Sequence, residues 1–240
     1  MVRLKKLSHK IFHYFGFDVI RYTNNNFYSL QRESVIRNRK INLILDVGAN
    51  EGDYASEARE AGYRGRIISF EPLSSSFNIL RKNSGKDPLW SCENMAVGSL
   101  DGDMEINVAG RTTSSSLLPM LPLHTTICPE SAYISKEKVR VTRIDSLAGK
   151  LFKPEDKILL KADVQGYEKQ VLQGSERIMD SVQAIELELS FLPLYEGAPL
   201  AYEMLDKLKS YGFIPAGFSR VLADPATESL LQVDGLFVRI

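Results

Sequence analysis

The chain has 240 residues, 44% hydrophobic and 25% charged, with 30 Lys/Arg against 30 Asp/Glu. That is an ordinary composition for a globular protein, enough for one large domain with a buried core. No apolar run approaches the roughly 18–20 residues that cross a bilayer, which excludes a transmembrane helix.

The even balance hides an asymmetry. Residues 1–40 hold nine Lys/Arg against Asp18 and Glu33, a surplus of +7 that the remainder answers with −7. A basic head suits an anionic lipid, a nucleic acid or the acidic body itself. The body has no basic stripe with interleaved aromatics, so nucleic acid is not expected as the main partner. The N-terminal stretch lacks a compact apolar segment followed by a small-residue cleavage site, so a cytoplasmic chain is expected. Cys92 and Cys128 fit no metal-ligand spacing and are expected as free thiols.

In "VRLKKLSHKIFHYFGF" the apolar residues Leu4, Leu7, Ile11, Phe12 and Phe15 make one face of a helix, with Arg3, Lys5, Lys6 and Lys10 outside it. Such a helix packs on the domain or on a second subunit, or rests on a membrane surface. His9 and His13 stand four apart, a chelating spacing, but without acidic or cysteine partners they read as surface residues. "TNNN" is a loop, and 27–40 reads as helix.

From residue 41 strands and helices alternate. "NLILDV" (42–47) is a buried strand, "SEAREAGY" (56–63) a helix and "RIISFEP" (66–72) a strand. "SSSFNILRKN" (74–83) is a helix opened by a serine cap, and "WSCENMAVG" (90–98) a third strand. This order predicts an α/β fold, a doubly wound and mostly parallel sheet of the Rossmann-like kind. "DMEINVAG" and "KVRVTRIDSL" alternate like strands, and the Ser-, Thr- and Pro-rich stretch between them reads as an irregular inserted loop, the kind that serves as a lid. Alternation resumes with "KILLKADV" (157–164), a helix over 167–179, "VQAIELELSF" (182–191) and a helix over 200–211. Residues 41–240 are read as one domain and 1–40 as a basic helical extension.

In "ILDVGANEGDY" (44–54) a strand runs through Gly-x-x-x-Gly into a helix, which lets backbone approach a ligand and presents free N–H groups. A dinucleotide fingerprint needs G-x-G-x-x-G, and from Gly48 those positions read Gly48, Asn50 and Asp53, so only the first fits. Asp46, Glu51 and Asp53 make the turn acidic, which repels a pyrophosphate but suits the ammonium and sulfonium of S-adenosylmethionine. Glu71, 19 residues past Gly52, can accept both ribose hydroxyls.

The blocks "DVGANEG", "FEP", "NMAVG", "TSSSLLP", "RIDSL", "LLKADVQGYEKQVLQG" and "ELSFLPLYEGAP", in that order, resemble the FkbM family of S-adenosylmethionine-dependent methyltransferases over roughly 41–240. The resemblance implies an O-methyltransferase acting on hydroxyls of natural products or bacterial glycans. It also implies cofactor contacts at Asp46, Gly48, Asn50, Gly52 and Glu71, with adenine near Asn94, Ala96 and Val97. Many members carry Asp-x-Glu-Gly where this chain has Asp163-Val164-Gln165-Gly166.

Ligands of open parallel sheets sit beyond the carboxyl ends of the strands. Asp163, at one such end, is the expected general base or acceptor ligand, with Lys161 on the same strand face. Glu188, ending the next strand, would orient the acceptor or join Asp163 around Mg²⁺. Glu186 lies deeper and would pair with Lys161. His124, in the inserted loop, has a suitable ordinary pKa for taking an alcohol proton. Ser114, Ser115 and Ser116 are expected to bond the acceptor or cofactor. The expected reaction is therefore O-methylation of a sugar hydroxyl in a glycan or glycolipid precursor, by a chain open to forming a homo-oligomer. A non-sugar natural product, an NAD-linked oxidoreductase and a non-catalytic binding module stay open as alternatives.

Overall fold

The computed structural model describes residues 28–240. The amphipathic segment from Leu4 to Phe15, with His9, His13 and its expected contact with a membrane or second subunit, lies outside the described residues. Among the described residues no helix is long and apolar enough to cross a membrane.

Ten strands run through the described residues. They are β1 (Leu43–Val47), β2 (Arg66–Phe70), β3 (Trp90–Glu93), β4 (Ala96–Val97), β5 (Gly102–Ala109), β6 (Tyr133–Thr142), β7 (Ile158–Ala162), β8 (Val182–Ser190), β9 (Phe213–Ala223) and β10 (Leu230–Arg239). Among the described residues seven α-helices accompany them: α1 (Tyr28–Asn38), α2 (Asp53–Glu60), α3 (Ser74–Ser84), α4 (Pro122–Ile127), α5 (Ile144–Leu151), α6 (Glu168–Gln173) and α7 (Ala201–Ser210).

The main sheet has the order β3-β2-β1-β7-β8-β10-β9. Its first five strands are parallel, and β10 runs antiparallel to both β8 and β9. The chain builds outward from β1 to β3, then returns to place β7 on the other side of β1. This reversal opens a crevice at the carboxyl ends of β1 and β7.

The aliphatic runs of β1 and β7 follow from burial of both sheet faces. Leu43, Leu45 and Val47 face one layer with Leu160, Leu187 and Leu208. Ile44, Ile67, Leu159 and Ala184 face the other, against Ala55 and Ala58 of α2 and Leu80 of α3. Two residues further along that second face, the register aligns Ser69, Asp46, Lys161 and Glu186 on four adjacent strands. The core thus gives way to a polar row as the strands approach the crevice.

Three expectations are corrected. The segment 90–98 is not one strand: β3 pairs in the main sheet, while β4 joins a second, three-stranded sheet of order β4-β6-β5. Asn94 at the break donates to the Glu71 and Pro72 carbonyls, which bends the chain away. Helix α3 has no serine side-chain cap. Carboxylates do that work: Glu71 accepts the Leu73 N–H and Glu137 accepts the Ser74 N–H. The helix expected over 167–179 stops at Gln173 and continues as a 3₁₀ turn from Glu176 to Ser181.

The inserted segment is more ordered than its composition suggests. It carries α4 and two 3₁₀ turns, Thr112–Ser114 and Pro129–Ser131. Backbone bridges Asn107 to Ser116 and Met120 to Tyr195 pin it down at two points.

Candidate active site

Two tight turns face each other across the crevice. After β1, Gly48 has φ +74° and Asn50 φ +47°; after β7, Gln165 has φ +55° and Gly166 φ +95°. A Cβ on Gly48 would lie 1.9 Å from the Asp163 carbonyl oxygen, so the turns touch and only glycine fits. Beneath them the Trp90 indole N–H donates to the Ser69 hydroxyl, which donates to Asp46 Oδ2. Lys161 Nζ lies 3.3 Å from Asp46 Oδ1 and directs a hydrogen bond of 3.1 Å to the Gly48 carbonyl. Burial alone would lower the Lys161 ammonium, but Asp46, Asp163 and Glu186 outweigh it and hold its pKa above the ordinary range. Lys161 is a charged strut under the glycine turn.

Glu71, just past β2, is buried beside that turn. Its Oε2 accepts the Asn50 N–H and its Oε1 the Leu73 N–H, both at 2.8 Å. Burial pushes the carboxyl up to about 7, against the pull of those two donors. Glu71 lines a cleft of about 640 Å³ between the glycine turn and the second sheet. Met95, Val97 and Ile106 give it an apolar wall; Thr112, Ser115 and Gln165 add polar groups from the inserted segment and the β7 turn.

A second cavity, of about 1210 Å³, opens on the opposite side of the turns. The two share Gly48, Asn50, Thr113 and Asp163. The larger cavity is walled by Tyr54, Lys161, Glu186 and Glu188, and by Asp234 of β10. Helix α1 closes one side through Arg32, which pairs with Glu186 at 3.4 Å and Glu57 at 3.1 Å. Tyr54 donates to the other oxygen of Glu186 at 2.8 Å. Burial, reinforced by Asp163, raises Glu188 well above the carboxylate range and Asp234 to about 7. Among the described residues no group of three His, Cys, Asp or Glu side chains is placed to hold a metal ion.

The family model described as the methyltransferase FkbM domain matches residues 46–215. The chain belongs to the FkbM methyltransferase family. No curated protein matches the sequence. Among solved structures, the chain is similar to the FkbM methyltransferase of Methylobacillus flagellatus KT, with 12% identity, a TM-score of 0.47, and coverage of 81% of this chain and 43% of that one. It thus spans less than half the length of that FkbM protein. A precorrin-6y C5,15-methyltransferase from Geobacter metallireducens GS-15 has 12% identity and a TM-score of 0.45, covering 89% of this chain and 88% of that one. A ribosomal protein L11 methylase from Lactobacillus delbrueckii subsp. bulgaricus has 10% identity and a TM-score of 0.45, covering 88% and 78%.

The smaller cleft of this FkbM domain suits S-adenosylmethionine. Both Glu71 oxygens keep lone pairs for ribose hydroxyls, and Met95, Val97 and Ile106 offer apolar surface to a flat base. Of the sequence-predicted cofactor residues, Gly48, Asn50, Glu71, Ala96 and Val97 line this cleft. Three do not. Asp46 is fully buried under the turn and neutralised by Lys161, so it shapes the cleft from below. Gly52 opens α2 with φ +95°, where a Cβ would meet the Trp90 ring at 2.8 Å; it packs helix on sheet. Asn94 braces the backbone behind Glu71.

Of the catalytic candidates, Asp163, Lys161 and Glu188 all border the larger cavity. His124 does not. Its ring is buried in α4, edge-on to Tyr195 at 5.2 Å, and lines neither cavity. Burial lowers its pKa, and its place outside both cavities makes it a packing residue rather than a base over the site. Ser115 and Ser116 line the smaller cleft, where Ser115 accepts the Ala109 N–H and Ser116 donates to the Gln165 carbonyl. Ser114 turns away to bond Ser131 at 2.9 Å. Glu186 pairs with Arg32 and Tyr54 rather than Lys161. Sequence reasoning missed Arg32, Tyr54 and Asp234 as site residues, because they arrive from elements far apart in the chain.

Proposed function

We propose that this chain is an S-adenosylmethionine-dependent O-methyltransferase whose acceptor is a sugar hydroxyl in a glycan or glycolipid precursor. The observation that supports it best is the pair of cavities meeting at Asp163, one suited to an adenosyl donor and the other walled by groups that bond hydroxyls. Donor and acceptor entering from opposite sides would meet end to end, as an in-line displacement requires. When bound, the cofactor supplies an electrophilic methyl group. Gly48 and Asn50 would let the backbone approach it closely, and Glu71 would hold its ribose hydroxyls.

The chain's own work lies on the acceptor side. Asp163 would accept the hydroxyl proton as the acceptor oxygen takes the methyl group from sulfur, the C–S bond breaking to leave a neutral thioether, and would later pass that proton to solvent. Tyr54, Glu186, Glu188 and Asp234 offer donors and acceptors at several angles, which suits a ring bearing many hydroxyls better than an apolar acceptor. The test is incubation with methyl-labelled cofactor and a panel of sugar nucleotides, glycolipids and simple alcohols, read by product mass. Asp163→Ala is expected to remove turnover while cofactor affinity by calorimetry stays within about threefold of wild type, since Asp163 contributes no ribose contact. Undiminished turnover in that variant would remove Asp163 from the chemistry.

A further inference from the structure

The side chain of Gln165 is used on every side. Nε2 donates to Asp163 Oδ1 at 2.8 Å and to Glu188 Oε2 at 2.9 Å, joining carboxylates that end two adjacent strands. Its Oε1 accepts the Tyr195 hydroxyl at 2.7 Å, and its backbone carbonyl accepts Ser116 Oγ at 2.7 Å. These partners fix the orientation of the amide, because only the nitrogen end can satisfy two acceptors. The residue is buried, at 8% exposure, in the left-handed region at φ +55°. Glu188 Oε2 takes a second amide donor, Gln232 Nε2, at 2.8 Å. Two carboxyl groups from adjacent strand ends in a buried pocket do not both stay ionised unless a positive group lies between them. A divalent cation is the ordinary answer; here the space holds a neutral N–H₂.

We propose that the carboxamide of Gln165 takes the place of a divalent cation between Asp163 and Glu188, and so acts as the positioning residue that holds Asp163 at the junction of the two cavities without a metal ion. The use of Asp163 on an acceptor rests on the functional reading above. The cation-like role of the amide does not. It follows that replacing the amide by a carboxylate, as in Gln165→Glu, turns a satisfied bridge into three acids sharing one pocket, which is a hard-cation site in charge and ligand type.

Titration of the full-length chain with Mn²⁺, followed by electron paramagnetic resonance of the free ion, tests this directly. Wild type is expected to take up no stoichiometric Mn²⁺. Gln165→Glu is expected to bind one equivalent at least about tenfold more tightly than wild type, because affinity for hard cations follows ligand charge. The gain should vanish in Gln165→Glu combined with Glu188→Gln. Gln165→Met, which keeps side-chain length and removes the donor, should show a smaller gain; if the Glu variant does not fold, the Met variant decides the question. The proposal is overturned if wild type binds one Mn²⁺ as tightly as the variants, or if neither folded variant gains any. Uptake of Mn²⁺ does not depend on methyl transfer, so failure here and loss of the acceptor reading are separate outcomes.

Discussion

Glu71 carries the clearest consequence of burial on a single functional group. Its carboxyl titrates at about 7 rather than near 4.5, with burial as the main cause. The ionised form accepts hydroxyl protons at both oxygens while keeping its two backbone donors; the protonated form loses one of those acceptor sites. Cofactor affinity is therefore expected to rise with pH between about 6 and 8 and then level off, because ionisation favours the bound state. Glu71→Gln should bind about 10–100-fold more weakly and show a flat profile, the loss expected for a charge-assisted hydrogen bond. Calorimetric titrations across that range check both statements, and a flat profile in wild type would remove Glu71 from the site. The sequence made Glu71 legible because a carboxylate at the end of the second strand has a defined distance from the glycine turn. It made Asp46 look equivalent. Only the register, which sets Asp46 beside Lys161, shows that one carboxylate faces the cleft and the other is consumed beneath it.

At the scale of elements, the site is the contact between the turns after β1 and β7. Gly48→Ala places a Cβ at φ +74° and 1.9 Å from the Asp163 carbonyl, so the turns must separate. A cost on the order of 2–4 kcal/mol in chemical denaturation is expected, from backbone strain and overpacking together. Asp163 moves with the β7 turn, so cofactor binding and turnover should fall together. A variant as stable as wild type would show that the turns do not depend on each other. The parallel strands were legible because burial on both faces leaves an unbroken aliphatic run, which short-range pattern reading detects. The split at residues 94 and 95 was not, since strand propensity is the same whichever sheet a strand joins. Helix α4 was hidden by Ser, Thr and Pro, and is held by its contacts: Leu121 N–H to the Leu194 carbonyl, and His124 against Tyr195. No local pattern reports such distant partners, which is why His124 was read as a proton acceptor in an irregular loop.

Across the whole molecule, buried carboxyls set how stability responds to pH. Glu71, Glu168 and Asp234 are raised to about 7 by burial, and burial also raises Glu188 well above the carboxylate range. In the unfolded chain such groups ionise near 4 to 4.5, so between there and about 7 the native state holds more protons. Stability from these groups is complete below about 4.5 and is lost as pH rises through 7. Asp87 and Asp101 shift the other way: burial opposes the shift at Asp87, where hydrogen bonds from Arg59 and Leu89 outweigh it, and hydrogen bonds from Arg143 and Ser146 lower Asp101. Their contribution disappears only below about 4. The melting temperature is therefore expected to be higher at pH 5 than at pH 8. Glu168 isolates the effect, because it lines neither cavity and accepts the Val164 and Gly166 N–H groups through Oε1 alone. A Gln carbonyl can accept both, so Glu168→Gln keeps the bonds and removes the charge. The variant should lie within about 1 kcal/mol of wild type at pH 5 and exceed it at pH 8 by a larger margin, on the order of 2–3 kcal/mol, the cost of ionising a buried carboxyl. Denaturation curves at the two pH values measure that difference, and an equal effect at both would mean Glu168 is ionised throughout, placing the origin of the pH response elsewhere in the fold.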